Sequence, residues 1–423
     1  MTFGWANPRS WPAWLAPILL LSLAVRLLAW WIAGDRVPIG DPANYVEIAR
    51  NIIAGRGIVI DDPKLWDNMR AVYPPLVPVL LAGIGLIFPL TAASFAVLNT
   101  IIDFGCAWLI ARCGAAAGER KAGLLAAAVY IMWPVNCILA PVARKEGLVE
   151  LLVAAQVLIL LRIIRRAGWV PVIGYGIISG LLALTQPALA TLAAMLGLVA
   201  LFHMRDRSRW LVSMAAAATC TVLVLVPWWI RNWLIYHKFI PLTVGGGGSL
   251  WIGSTPLGDG TWFEPPAHLM AGDEFAASDR AGAEAKAYIS THQWIYLKHC
   301  AAKFGRAFAS DINVGEQLLW MEPRRHLAWV RYLALYATFA HLGVMMLAAG
   351  ASFIRRRSIL THFLLACFAQ LLIFGVWFEF AQRHRYFLTP LLILVAATGL
   401  VDWLAKRRSG APAAPATNSP LND

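Results

Sequence analysis

The chain is 423 residues long, 59% hydrophobic and 14% charged, and it carries a formal net charge of +13. This composition, with a mean hydropathy of +0.63, excludes a soluble globular domain. The apolar residues fall in blocks near the length that crosses a hydrocarbon core of about 30 Å. Many of the 20 tryptophans lie at block edges, as in an interfacial belt. The sequence therefore predicts an all-α polytopic membrane protein.

The positive charge and the cysteines point to no other class. Arginines and lysines gather at the ends of apolar blocks, where the positive-inside bias places them, so they do not indicate nucleic-acid binding. The six cysteines show no CxxC spacing and predict neither a disulfide framework nor a zinc site. The first apolar block contains Arg26 and lacks a small-residue cleavage site, which favours an uncleaved first span.

Ten spans are predicted in chain order, with both termini in the cytoplasm. They are 13–33, 93–112, 122–139, 146–164, 170–185, 187–203, 210–229, 328–350, 359–378 and 386–404. The apolar segment 75–89 would cover only about 22 Å as a helix, so we expect a juxtamembrane or half-inserted helix there. The pair 170–185 and 187–203 is short and broken around Gln186–Pro187.

This threading leaves two long external loops, a short one near 140–146, and another around Glu379–Arg385. No cytoplasmic loop is long enough to hold a catalytic site, so we expect any chemistry outside. The predicted organisation is an N-terminal transmembrane module 1–229 that includes the first external loop 34–92, a periplasmic loop region 230–327, C-terminal transmembrane helices 328–408, and a disordered cytoplasmic tail 409–423.

The first external loop begins with an amphipathic helix. Its apolar residues recur at helical spacing, and Asp41 and Pro42 stand at its start. Asp41 has two interpretations at this stage: a plain N-cap, which the physics of the sequence favours, or a catalytic carboxylate at the membrane surface.

Charged residues at membrane depth need partners or a polar cavity. For Arg26 and Asp103 we expect a structural ion pair. Glu146 and Glu150 share a helical face and, with Arg144 and Lys145, would place mixed charge at the outer mouth of the bundle.

Arg383 and Arg385 lie outside against the positive-inside bias, which indicates a fixed anion such as phosphate, or else lipid headgroups. The glycines 245–248 could cradle a phosphate, but no Gly-Lys-Ser/Thr follows them, so a nucleotide loop is not indicated.

Four ordered landmarks carry a family resemblance. They are Asp41…Tyr45…Gly55-Arg56-Gly57 with Tyr73-Pro74-Pro75, then Pro227-Trp228…Arg231-Asn232, then Gly247…Leu250-Trp251-Ile252-Gly253, and finally Arg383…Arg385-Tyr386…Pro390. Together they cover about residues 12 to 404. The pattern resembles the bacterial glycosyltransferase family 39 type, which has the GT-C fold and is related to protein mannosyltransferases and the lipid A aminoarabinose transferase.

The resemblance implies a GT-C-type bundle of about ten transmembrane helices, with juxtamembrane helices in the first external loop. It implies that Asp41 is the catalytic base and that Glu146 matches an acidic position of the second external loop. The chain departs from the family pattern at Pro42, where relatives often have Glu, and at Tyr73, where aminoarabinose transferases have a basic residue.

The expected activity is inverting sugar transfer from a polyprenyl (undecaprenyl) phosphate donor, at the periplasmic face of a bacterial inner membrane. The acceptor would be a saccharide, glycolipid or protein. Candidate phosphate-binding residues are Arg383 and Arg385, followed by Arg144, Lys145 and Arg231. Candidate substrate-binding residues are Tyr45, Glu146, Tyr73, Trp251, His384 and Tyr386.

Two rival functions remain open at this stage: a lipid or sugar flippase without chemistry and a non-enzymatic assembly partner. No cofactor is expected. A divalent cation between Asp41 and Glu146 is conceivable, but we favour metal independence because two carboxylates make a thin ligand shell.

Overall fold

The computed structural model describes residues 13, 15–34, 40–60, 69–165, 168–204, 206–311 and 328–409. Within these ranges the regular structure is helical, and the β-contact recorded is one isolated antiparallel bridge between Ile60 and Met69. The predicted all-α class is confirmed. The tail 410–423 and residues 1–12 lie outside the described residues, so the predicted disordered tail and the cytoplasmic termini stay predictions.

Among the described residues, seven helical segments are long and apolar enough to cross a membrane. They contain α1 (Leu15–Ala33), α4 (Ala92–Ala116), α5 (Arg120–Ile131) with its short continuation α6 (Pro134–Ile138), α7 (Glu146–Arg165), α10 (Arg207–Tyr236), α14 (Ala328–Ile354) and α16 (Thr389–Ser409), the last preceded by a 3-10 helix Gln382–Leu388. The chain is therefore a polytopic membrane protein, as predicted.

The remaining helices are shorter or less apolar. Four are apolar: α3 (Leu76–Gly85), α8 (Trp169–Thr185), α9 (Leu192–Leu201) and α15 (Ile359–Gln370). The others are α2 (Asp41–Ile53) in the first predicted external loop and α11 (Gly246–Ser254), α12 (Glu274–Thr291) and α13 (Gln293–Ala309) in the second. The side of the membrane on which these two loops lie stays a prediction. All ten predicted spans coincide with helices, three of them with the short α8, α9 and α15. The total of ten crossings stays a prediction.

The break between α8 and α9 and the short length of α3 both agree with the sequence predictions. The chain breaks between α8 and α9 at Gln186, where a 3-10 turn Pro187–Leu189 intervenes. Helix α3 has only 10 residues, about 15 Å, and packs beside α2. Its juxtamembrane or half-inserted position stays a prediction.

Small residues let the helices approach closely. A Cβ added at Gly114 of α4 would lie 2.4 Å from the Cα of Gly123 in α5, and one at Gly176 of α8 would lie 2.3 Å from the carbonyl oxygen of Ala217 in α10. Close backbone approach is how helices associate in lipid, where burial of apolar surface gives little driving force. Larger residues at these positions would separate the helix pairs.

The last helix lies at the centre of the bundle. Residues Leu391–Ala397 of α16 are only 1–5% exposed, although they point in every direction around the helix. A helix that is apolar all round needs neighbours on every side, and α5, α14 and α15 supply them. Because the 3-10 helix Gln382–Leu388 continues directly into α16, its side chains are held against a rigid core.

A buried charge cluster joins three segments of the bundle. Asp103 Oδ2 lies 2.8 Å from Arg26 Nη2, and Asp103 Oδ1 lies 3.5 Å from Arg144 Nη2, with all three side chains at most 3% exposed. The expected Arg26–Asp103 pair is confirmed. Arg144 also donates to Asn136 at 3.2 Å, and Asn136 donates to Glu150 at 3.1 Å. The polar network therefore extends from α1 to α7.

The second external loop holds the first one in place. Arg231, near the end of α10, donates to the carbonyl oxygens of Ile58 and Arg70 at 2.7 Å each. The carboxylate of Glu274 accepts from the backbone N–H groups of Arg70 and Ala71 at 3.3 Å. These contacts satisfy backbone groups of the first loop, whose described residues form the helices α2 and α3 and one isolated β-bridge.

We predict that Asp103→Asn strongly destabilises the protein. It would leave two buried guanidinium groups without an anion, and removing one partner of a buried ion pair typically costs about 3–5 kcal/mol. The measurement is thermal unfolding of the purified protein in lipid nanodiscs. Asp402→Asn is the matched control, because Asp402 also pairs with an arginine (Arg355, 3.3 Å) but is 39% exposed, so a loss of about 0–1 kcal/mol is expected. Equal melting temperatures for both variants would contradict the prediction.

Candidate functional site

Asp41 is the first helical residue of α2, and it does not cap that helix. The N-cap position is taken by Gly40, whose φ of 82° favours glycine, and no side-chain capping hydrogen bond is present. The interpretation of Asp41 as a plain N-cap is therefore wrong. Its side chain turns away from the helix end to an arginine far along the sequence, since Arg383 Nη1 donates to Asp41 Oδ2 at 2.8 Å.

Arg383 is held between two carboxylates. Besides Asp41, it contacts Glu379, whose Oε1 lies 3.1 Å from Arg383 Nη2. The three side chains are between 12% and 27% exposed, so the pairs are sheltered but reachable from outside. The guanidinium thus bridges the first external loop and the segment that leads into α16.

The second external loop fixes the segment that carries Glu379. The backbone N–H of Glu379 donates to the Ser249 carbonyl at 2.8 Å, and that of Phe380 donates to Gly260 at 2.9 Å. The buried ammonium of Lys303 donates to the carbonyl oxygens of Gly253 and Phe378 at 2.6 and 2.9 Å. Burial lowers the pKa of Lys303 to about 8. The position of Arg383 is therefore set by α11 and α13 as well as by its own helix.

A pocket lies beside this ion pair, with about 310 Å³ of space between and around its lining residues that includes open solvent. Its polar lining residues are Lys145, Glu146, Gln186, Arg383 and His384, and its apolar ones are Val149, Leu189 and Phe387. The lining thus comes from the start of α7, the break between α8 and α9, and the 3-10 helix before α16. Both signs of charge converge on one small space.

The surrounding charges favour an ionised Asp41. Burial raises the pKa of this carboxyl, but the charges of Arg383, Lys145 and His384 and the hydrogen bond from Arg383 together lower it by more, so the net pKa lies below its ordinary value. For Tyr45, burial followed by the negative charges of Asp41 and Glu146 raises the pKa well above its ordinary value. Asp41 is thus an anion beside a protonated phenol.

Tyr45 and Tyr73 contact each other near the start of α2. Their rings meet edge to face with centroids 5.8 Å apart, a favourable aromatic geometry. Asn44, on the same turn as Asp41, donates to the Tyr73 hydroxyl at 2.5 Å. The two predicted substrate-binding tyrosines are therefore neighbours, and they tie α2 to the segment that precedes α3.

The structure brings four predicted site residues together in the lining of one pocket, Lys145, Glu146, Arg383 and His384. A fifth, Asp41, pairs with Arg383 at its edge. Glu150 takes no part in it, because its carboxylate faces inward and accepts from Tyr130 and Asn136. The mixed charge expected at the outer mouth is therefore divided. Glu146 lines the pocket, and Glu150 belongs to the buried network.

Other predicted phosphate-binding arginines have their donors engaged elsewhere. Arg144 pairs with Asp103 and lines a second, mostly apolar cavity of about 280 Å³ between α3 and α4. Arg385 is 2% exposed and contacts Asp311 at 2.8 Å, His341 at 2.9 Å and the carbonyl of Ala307 at 2.5 Å. Arg231 holds the first external loop, as described above. None of the three lines the pocket beside Asp41.

Two predicted substrate-binding aromatics lie in packed surroundings. The Tyr386 hydroxyl donates to Asp311 Oδ1 at 3.1 Å beside Arg385. Trp251 is 2% exposed, donates to Glu284 at 3.0 Å and packs among residues of α12. The glycines before Trp251 form the first turn of α11, where Gly247 lies too close to the carbonyl of Ser278 for a side chain.

Sequence reasoning did not single out Glu379 and Gln186 as site residues. Glu379 appeared only as the edge of a loop, and Gln186 only as a helix break. The signal that could have found Glu379 is its spacing of four residues from Arg383, which suits an ion pair along a helical turn. Among the described residues, no group of three or more His, Cys, Asp or Glu is arranged to hold a metal ion.

No protein-family model matches the chain, and no curated protein matches it by sequence. Solved structures do match. An oligosaccharyltransferase from Archaeoglobus fulgidus, in complex with zinc and sulfate, superposes with a TM-score of 0.56 at 16% identity, over 93% of this chain and 49% of that one. The archaeal oligosaccharyltransferase AglB from the same organism, in complex with an inhibitory peptide and a dolichol-phosphate, gives 0.55 at 14% identity, over 96% and 52%.

ArnT from Cupriavidus metallidurans, bound to undecaprenyl phosphate, gives a lower TM-score of 0.44 at 13% identity, over 93% of this chain and 79% of that one. The chain spans about half the length of the archaeal structures that it matches. At these identities the likeness concerns the fold. The chain has the GT-C fold of membrane glycosyltransferases.

Proposed function

We propose that the chain is an inverting glycosyltransferase that moves a sugar from a polyprenyl-phosphate lipid to a hydroxyl acceptor outside the cytoplasm. The observation that carries the proposal is the ion pair between Asp41 and Arg383 at the edge of a small charged pocket. A general base and a cation for a phosphate leaving group are the two parts that such a transfer requires.

In the proposed reaction, Asp41 takes the proton from the acceptor hydroxyl as that oxygen attacks C1 of the sugar. The new O–C1 bond forms on the face opposite the lipid phosphate, and the bond between C1 and the phosphate oxygen breaks. The electron pair leaves with the polyprenyl phosphate, whose charge Arg383 and Lys145 would stabilise. The low pKa of Asp41 keeps the base ready at neutral pH.

A base paired with arginine is a weak base, and the geometry suggests how this is overcome. Arg383 contacts Asp41 and Glu379 with different nitrogens. A phosphate entering the pocket would compete with Asp41 for Nη1 while Glu379 keeps the guanidinium in place through Nη2. Donor binding would then release the Asp41 carboxylate for the acceptor, which favours binding of the donor before the acceptor.

A lipid-linked donor fits the surroundings of the pocket. Leu189 and Phe387 give it an apolar wall next to the charged groups, as a phosphate with a prenyl tail would need. The archaeal AglB structure of the same fold is a complex with a dolichol-phosphate, which supports a lipid phosphate as the donor class. The acceptor would reach Asp41 from the external loops.

We predict that Asp41→Asn folds normally and loses on the order of 10²–10⁴ in transfer rate, because it lacks the general base. The measurement is sugar release from radiolabelled undecaprenyl-phosphate sugars by protein reconstituted in lipid. Glu47→Gln on the same helix is the control and should keep its activity. A fully active Asp41→Asn enzyme would refute the assignment. Movement of labelled lipid across the bilayer with no turnover of any donor would favour a flippase instead.

Removing Arg383 should shift the acid limb of the pH–rate profile to higher pH. A carboxyl with a depressed pKa is ionised above that pKa and loses its charge as the pH falls through it. In Arg383→Met the burial of Asp41 remains while the main lowering charge is gone, so the pKa of Asp41 rises. Lys145→Met should also shift the acid limb of the pH–rate profile to higher pH, but by less. The other ionisable groups around Asp41, which are His384, Tyr45 and Glu146, are unchanged in both variants. An unmoved limb in residual donor hydrolysis would contradict this arrangement.

Asp41→Asn should bind the carrier phosphate more tightly than the wild type does, because Arg383 no longer has a competing carboxylate. A partly exposed ion pair is worth roughly 0.2–1 kcal/mol, so we expect up to about a fivefold gain in affinity. Binding of undecaprenyl phosphate in nanodiscs can be followed by calorimetry, with Glu47→Gln as the control. Weaker binding by Asp41→Asn would show that the ion pair positions Arg383 for phosphate rather than competing with it.

A further inference from the structure

Gln186 lines the pocket beside Asp41, and it has an unpaired side-chain amide oxygen. Its side chain lines the pocket, and its Oε1 is buried with no hydrogen-bond partner among the described residues. The backbone of the same residue is satisfied, since its N–H donates to Leu182 at 2.8 Å and its carbonyl accepts from Leu189 at 2.9 Å.

The turn that carries Gln186 is rigid. Gln186 ends α8 in an extended conformation (φ −140°, ψ 91°), and Pro187 begins the following 3-10 turn. Gln370 of α15 anchors the next residues, because its side-chain amide donates to the carbonyl of Ala188 at 2.8 Å and to Thr191 Oγ1 at 3.0 Å. A buried carbonyl oxygen held without a partner on such a turn is unfavourable, unless a ligand supplies the missing donor.

The other walls of the pocket assign the charged part of that ligand. Lys145 and Arg383 suit a phosphate, whereas the uncharged Gln186 does not. In a small pocket, the group next to the phosphate of a lipid-linked donor is the sugar. A carbonyl oxygen accepts a hydrogen bond from a hydroxyl, and hydroxyls are the donors that a sugar offers.

We propose that Gln186 is a specificity residue that accepts a hydrogen bond from a hydroxyl of the donor sugar. This rests on the proposed transfer from a lipid phosphate. It adds to that function a residue that contacts the sugar.

The test compares Gln186→Met, which keeps the length of the side chain and removes its amide, with wild type in lipid-reconstituted protein. The donors are undecaprenyl phosphates that carry glucose, mannose, galactose or arabinose, and then the single-deoxy analogues of the sugar that turns over fastest. We expect wild type to lose about tenfold or more in kcat/KM for one deoxy analogue, on the scale of one buried hydrogen bond. Gln186→Met should lose the same factor on the full sugar and treat the two donors alike.

Two controls separate this role from a structural one. Leu189→Met alters an apolar wall of the same pocket and should keep the wild-type discrimination, and Gln186→Glu, which retains an acceptor oxygen, should keep part of it. Thermal melting confirms that each variant is folded. If Gln186→Met discriminates among the deoxy sugars as wild type does, the inference falls while the proposed function stands, and the amide oxygen serves only a pocket water. If wild type turns over none of the donors, the proposed function and this inference fall together.

Discussion

Pairing of buried charge is the constraint on which the bundle and its candidate site both depend. An isolated ion at membrane depth is costly, so Asp103 lies between Arg26 and Arg144 and links the first helices of the bundle. The same need for a partner of opposite charge applies at the candidate site, where Arg383 lies between Asp41 and Glu379. The side chains of Asp103, Arg26 and Arg144 are at most 3% exposed, whereas those of Asp41 and Arg383 are about a quarter exposed. Of these two groups of charges, only the pair of Asp41 and Arg383 is exposed enough for a ligand to replace one partner.

The second external loop serves as the scaffold of the candidate site. Through Arg231 and Glu274 it fixes the first external loop, which carries Asp41. Through Lys303 and the backbone of α11 it fixes the segment that carries Glu379. The two halves of the ion pair thus come from loops that share one support. This explains how Asp41 and Arg383, which are more than 300 positions apart in the sequence, can lie at hydrogen-bond distance although they belong to different loops.

The candidate site shows where sequence reasoning about charge succeeds and where it stops. Arg383 and Arg385 both depart from the positive-inside bias, and that bias does not distinguish them. In the structure, Arg383 lines the pocket, whereas Arg385, two residues on, is buried against Asp311 and His341. In a 3-10 helix, residues two apart point to different sides, so one faces the pocket and the other the core. Asp41 looked like a helix cap because capping is local, and its actual partner lies 342 residues away.

The sequence by itself determined the all-α membrane class, the positions of the helices, the break at Gln186–Pro187, the short helix at 76–85 and the pairing of Arg26 with Asp103. These follow from local properties: apolar length, proline, and the cost of a lone charge in lipid. Only the tertiary structure decided which carboxylate meets which arginine, that the last helix is central, and that Gln186 faces the pocket. Such contacts depend on how the helices are oriented against one another and on how the loops fold over them. The periodicity of a single segment does not tell which distant segment that segment contacts.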